Sequence, residues 1–403
     1  MYDLLLKNAE IIDPEKKIQF KGEVAIANGL IAAVGEELGE KNAAKVIDLK
    51  GKILTPGLID MHCHVYPYIP VPSDGLYNIN ADAHMLQMGV TTVVDAGSCG
   101  WRDFLRFKEN IIDKAEVRIL SFLNIASGGM VNITSENSPK DFHPNVVAEI
   151  VKAFPDILVG VKTAHYWTQN PFDDEHPMWA SVDAAEEASV LAGKPLMVDF
   201  YPNRERTYEK MLTHLKPGDI HTHMYAQQFP ILDENRHVRD FIWEQRERGI
   251  KFDLGHGAGS FWFRNAVPAI ADGHIPDTIS TDLYMENIHG PALSLLHIMS
   301  KMLNCGLSLQ DVIYKVTVAP ATELGHPEIA NLRVGSVADL AVLELQEGNF
   351  GFADCGNAKI DGTKKLSCAL TVREGKIVYD PMALSMPLWE NAPERYWTSP
   401  GVI

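Results

Sequence analysis

Apolar and polar positions along this chain change rhythm twice. Over the first 56 residues the apolar positions come in short runs: Leu4 to Leu6, Val24 to Ile26, Leu30 to Val34 and Lys45 to Leu49. Asn28-Gly29 separates the second run from the third, and both residues tolerate the positive φ of a tight hairpin turn. No helical periodicity interrupts these runs, so they predict a small β unit. From Leu58 the rhythm becomes an alternation. Strand-like runs at 58–64, 91–95, 117–125, 157–163, 195–200, 219–224, 251–255 and 277–282 are separated by longer stretches, amphipathic at Ser181 to Leu191, Glu209 to Leu215 and Val238 to Arg248. Strand and helix in turn predict parallel pairing with helices outside. Eight such units over this length predict an α/β fold of the (β/α)8 TIM-barrel type. After about residue 331 the strand rhythm returns, at 338–343, 368–373 and 376–379. The predicted organisation is a composite β domain, a small β-sandwich from 1–56 and 331–380, flanking a barrel at 57–330. A C-terminal arm at 381–403 carries four prolines and two tryptophans.

Composition narrows the class. Charged residues make up 22% and the net charge is −17, which disfavours nucleic acid as a partner, since phosphate contacts need clustered Lys and Arg. Five scattered cysteines without a C-x-x-C pair point to a reducing compartment. The first residues hold too short an apolar run for a signal peptide, and no run reaches membrane-spanning length. A cytoplasmic protein acting on a small molecule is expected, without a membrane partner. Homo-oligomerisation is left open.

Chemistry gathers at the strand ends. Thr55-Pro56-Gly57-Leu58-Ile59-Asp60-Met61-His62-Cys63-His64 gives two histidines one residue apart. On a strand they face the same way and can grip one metal ion. The fourth run ends in Lys162, the fifth in Asp199, the sixth in His221 and His223, and the eighth in Asp282. In a barrel such ends converge at one mouth.

This set resembles the amidohydrolase superfamily. His62-x-His64 follows Pro56-Gly57-Leu58-Ile59-Asp60, and Lys162, His223 and Asp282 stand at later strand ends. Ala319-Pro320-Ala321 and Val334 to Leu340 resemble that superfamily's barrel exit and return to its β domain. Gly255 to Phe261, Ser280-Thr281-Asp282 and Met299-Ser300-Lys301 are similar to its dihydroorotase-like deacetylase branch. The resemblance implies two divalent metals, usually zinc, bridged by an N6-carboxylysine at Lys162. His62, His64 and Asp282 would hold one metal and Asp199 and His223 the other, with Asp282 as general base and then acid. Asp199 stands where the superfamily usually has histidine; His221, one layer deeper, is an alternative ligand. His256, Arg102, Arg264 and Tyr284 are candidate substrate contacts, and Tyr66 and Trp167 candidate walls. The implied reaction is hydrolysis of an amide or ester, as in deacetylation of an N-acyl amino acid or acetylated hydroxy acid. Ring opening of a cyclic amide, deamination of a base, and a barrel scaffold without catalysis are the alternatives.

Overall fold

The computed structural model describes residues 1–67, 77–131, 133–167, 171–199 and 201–398. Its strands form two sheets. The chain begins with β1 (Tyr2–Asp13), β2 (Ile18–Ala27), β3 (Leu30–Gly35), β4 (Ala43–Asp48) and β5 (Ile53–Pro56). Asn28 and Gly29 both have positive φ and turn β2 into β3, as the dipeptide predicts.

The second sheet is parallel and seven-stranded. It runs in chain order through β6 (Leu58–Cys63), β7 (Val90–Gly100), β8 (Arg118–Asn124), β9 (Leu158–Thr163), β10 (Leu196–Val198), β11 (Ile220–His221) and β12 (Lys251–Phe252). The predicted eighth run forms no regular strand, but it bridges both edges. Thr278 pairs with Asp253 beyond β12, and Leu283 pairs with Cys63 at the end of β6. Backbone bonds from Leu254 to Thr278, from Asp282 to His62 and from His64 to Leu283 complete the seam. The fifth predicted run is shortened to β10, and its Phe200 lies outside the described residues.

β6 and β7 are buried throughout, so their polar members, among them Asp60, His62, Thr92 and Asp95, lie inside with the apolar ones. Alternate residues Ile59 and Met61, Val94 and Ala96, and Leu120 and Phe122 meet Val159, Met197 and Ile220 in one cluster. Ala321, Leu324 and Ala330 complete it. The opposite faces pack on the helices, including Ala180–Ala192, Tyr208–His214 and Asp240–Glu247 at the predicted places.

The chain then returns to the first sheet through β13 (Leu340–Ala353), β14 (Lys359–Arg373) and β15 (Lys376–Tyr379). All eight strands belong to one hydrogen-bonded sheet, ordered β15-β14-β13-β5-β1-β2-β3 with β4 beside β1. β13 and β14 run well past their predicted ends. Beyond Leu345 the hairpin is largely solvated, so the apolar signal fades while the backbone pairing continues. The helix Leu295–Asn304 buries eight of its ten residues and leaves His297 and Asn304 partly exposed. Asp339 ties the sheets together, accepting from Arg118 of β8 and Arg373 of β14. All five cysteines are free, and no helix of the described residues is long and apolar enough to cross a membrane.

Candidate active site

His62, His64, Asp199, His223 and Asp282 line one cavity of about 500 Å³ beyond the carboxyl ends of the parallel strands. β6 carries His62, and His64, two positions on, follows one residue past its end at Cys63. Asp282 Oδ1 lies 2.9 Å from His64 Nε2 and 3.5 Å from His62 Nε2. His62 Nδ1 is 2.8 Å from Thr222 Oγ1. That hydroxyl already donates to Asp253, so it accepts the imidazole proton and leaves Nε2 as the lone pair facing the cavity. His64 Nδ1 is held by Ser98 Oγ at 2.7 Å.

Two buried aspartates brace this half from below. Asp60 accepts from the backbone N–H and the hydroxyl of Thr281, and burial pushes its carboxyl up to about 7. Asp253 accepts from the hydroxyls of Thr222, Thr278 and Ser280. Asp282 itself holds a left-handed φ of 50°, pinned by its N–H to His62 O and by Asn287 Nδ2 on its carbonyl. The strand-seven loop comes close behind it. A Cβ on Gly257, at φ 59°, would lie 2.7 Å from Asp282 Oδ2.

On the other side, Asp199 Oδ2 lies 3.1 Å from His223 Nε2, and His223 Nδ1 donates to Gly255 O at 2.6 Å. Burial opposes the Asp199 charge, but His223 and then His165 hold its carboxyl well below the usual range. His223 is raised in turn, Asp199 outweighing its burial.

Lys162 is fully buried, its Nζ makes no hydrogen bond, and burial pushes its pKa down. Gly97, at φ 84°, makes room for its stem: a Cβ there would sit 2.5 Å from Lys162 Cγ.

Three expected substrate contacts lie elsewhere. His256 is fully buried, stacked on Phe261, with Lys301 Nζ 2.7 Å from its Nε2. It props the loop rather than facing the cavity, because the ring has packing and polar partners on its inner side. Arg102 pairs with its neighbour Asp103, and Arg264 lies over the Trp262 ring. Tyr284 does line the cavity. Tyr66 packs on Phe107 and Trp167 stacks on His176. His221 is sealed among Tyr208, Phe229 and Phe252, and burial pushes it down to about 3, so it does not move into the mouth.

The sequence reading passed over His165, Ser98 and Glu286, which also line the cavity. His165 follows Lys162 by three residues, just beyond β9. A histidine so close to a strand end was the available signal. Ser98 and Glu286 carried none.

The ligand atoms of His62, His64 and Asp282 all lie within 4.8 Å of one another. Together with the orphaned amine of Lys162, this nitrogen and oxygen set fits a divalent cation.

Comparison with known proteins identifies the family. The description "Amidohydrolase family" matches residues 263–378. A deacetylase of Agrobacterium fabrum is 30% identical over 347 residues, covering 84% of this chain and 82% of that protein. The chain belongs to the amidohydrolase superfamily. Solved structures agree. An adenine deaminase matches with a TM-score of 0.84 at 27% identity, over 94% of this chain and all of the other. A dihydroorotase matches with a TM-score of 0.79 at 27% identity, over 94% and 99%. This amidohydrolase is a hydrolase of carbon–nitrogen bonds. The family typically uses a divalent metal, and His62, His64 and Asp282 form a group able to bind one.

Proposed function

We propose that this chain is a metal-dependent deacetylase of small acylated molecules. We take its fold as a (β/α)8 barrel at 57–330 beside a composite β domain from 1–56 and 331–380, with 381–403 as an arm. The bridging of both sheet edges by the segment at 277–283 supports the barrel. The observation that carries the function is the His62, His64 and Asp282 group beside a buried lysine amine without a partner.

His62, His64 and Asp282 would hold one divalent metal, zinc by donor type, and Asp199 and His223 a second. Such metals would supply a lowered pKa for water and polarisation of a carbonyl. Lys162 serves as a carbamate. A protonated amine buried without a partner costs several kcal/mol, whereas the neutral amine can attack CO2, form the N–C bond and release a proton. The resulting anion would give Lys162 an oxygen donor for a divalent cation. Asp282 Oδ takes the proton of the attacking water and passes it to the leaving nitrogen or oxygen. Tyr284 and Ser98 offer hydroxyls for orienting the substrate.

Among the described residues the lining carries Asp199, Asp282 and Glu286 but neither lysine nor arginine. A carboxylate on the substrate would therefore be met by the metals or by the imidazole of His165, which, against its burial, Glu136 and Asp199 push up to about 9, so N-acyl amino acids, acetylated hydroxy acids and acetylated amines all remain substrates of this reading. A cyclic amide is the second reading, favoured by the likeness to the dihydroorotase structure.

Metal-reconstituted protein assayed on acetylated amines, N-acetyl amino acids, acetylated hydroxy acids, dihydroorotate and adenine separates the readings. We expect acetate release that chelation abolishes. Ring opening or deamination alone would replace the deacetylase reading. Turnover of nothing, with less than one equivalent of metal, would leave a scaffold.

A further inference from the structure

The four histidines of the cavity obey one pattern. Each is anchored through Nδ1 and turns Nε2 to a carboxylate. His62 is anchored by Thr222, His64 by Ser98 and His223 by Gly255. His165 is anchored by Glu136, whose Oε2 lies 3.1 Å from its Nδ1. Glu136 is itself buried, and its other oxygen accepts from Asn124 Nδ2 at 3.0 Å. The free nitrogens then fall into two pairs. His62 and His64 face Asp282, while His223 and His165 face Asp199 Oδ2, at 3.1 Å and 3.8 Å.

An imidazole whose outer N–H is held by a carboxylate, carbonyl or hydroxyl, with the other nitrogen facing an anion, is the arrangement of a metal ligand. The backbone repeats the likeness. His165 has φ 53°, in the left-handed region it shares with His223 at 63° and Asp282 at 50°. Non-glycine residues take that conformation at a cost, and they do so most often where a side chain must be aimed. His256 also has its Nδ1 on a carbonyl, Gly257 O at 3.0 Å, but its Nε2 meets the Lys301 amine instead of a carboxylate and it does not line the cavity.

We propose that His165 is a ligand of the second divalent-cation position, completing with Asp199 and His223 a two-histidine, one-aspartate set of the same composition as His62, His64 and Asp282 but more open, since only the first set has all its ligand atoms within 4.8 Å of one another. The proposal rests on the metal-dependent reading above. It accounts for the aspartate at 199: strand five supplies the charge, and the loop after β9 supplies the nitrogen.

The test is metal counting, independent of turnover. Chelator-stripped wild type, His165→Asn and His62→Asn are titrated with Zn2+, and bound metal is measured after gel filtration. We expect about two equivalents for wild type and weakening of one of them by about tenfold to a hundredfold in His165→Asn. His62→Asn should weaken the other. Equal binding of both equivalents by wild type and His165→Asn overturns the proposal, as does a wild type that binds one metal lost only in His62→Asn. A wild type that binds none overturns the metal reading itself. If His165→Asn does not fold, His165→Asp decides. Oxygen in place of nitrogen should shift that position from Zn2+ towards Mn2+ in competition, and an unchanged preference overturns the assignment.

Discussion

The two sides of the mouth are built by different means. The side of His62, His64 and Asp282 rests on β6, six residues long and buried throughout, and on a segment clamped by Asp60 and Asp253. The side of Asp199, His223 and His165 rests on β10 and β11, only three and two residues long, with each residue just past a strand end. A rigid strand spaces its own ligands. Loops must aim theirs one by one, by left-handed backbone and by anchors such as Gly255 O and Glu136. Precision on the first side comes from β6 pairing up to Cys63 together with a left-handed, hydrogen-bonded Asp282, and on the second from local hydrogen bonds throughout.

The sharpest test of that contrast sets Asp282→Asn against Asp199→Asn. If Asp282 carries the proton as proposed, its loss should lower kcat by about 10²–10⁴-fold with metal content near normal. Losing the Asp199 charge should cost less turnover and should show in metal retention instead. Equal losses of kcat with unchanged metal in both variants would break the distinction. Gly97→Ala strikes the lysine shared by the two sides. Its Cβ would meet the Lys162 stem at a positive φ, so we expect a loss of about 1–3 kcal/mol in urea melts together with reduced turnover. Wild-type stability in that variant would mean that the stem relocates freely.

The smallest effect is expected away from the mouth, at His297. Burial, then Lys301, pushes its imidazole down to about 3. The unfolded chain takes up a proton near pH 6.5 that the folded form refuses, so stability is full above that pH and falls below it. His297→Phe should remove about 1 kcal/mol of the acid loss between pH 6.5 and pH 5, allowing for partial exposure, without altering kcat. An unchanged slope of melting temperature against pH would count against this origin of acid sensitivity.

The same contrast explains what could be read in advance. The His62-x-His64 pair was legible because strand period and burial coincide there, Lys162 and Asp199 because apolar runs stop at them, and His223 and Asp282 because each stands at a predicted strand end. His165 offered only its nearness to the end of β9, since the Glu136 anchor that aims it leaves no mark in the sequence. Arg102 and Arg264 misled for a related reason. Nearness to a strand end says nothing of where a long side chain goes, and theirs went to Asp103 and Trp262. The β13–β14 hairpin outran its predicted ends because solvated strands keep their backbone bonds after losing their apolar alternation.

β5 lies between β1 and β13, and so joins partners more than three hundred residues apart in the sequence. During synthesis one flank of β5 stays bare until β13 has left the ribosome, after the whole parallel sheet has been made. An uncovered strand flank invites foreign pairing. A nascent chain stalled before residue 340 should therefore be the form of this protein most in need of a chaperone.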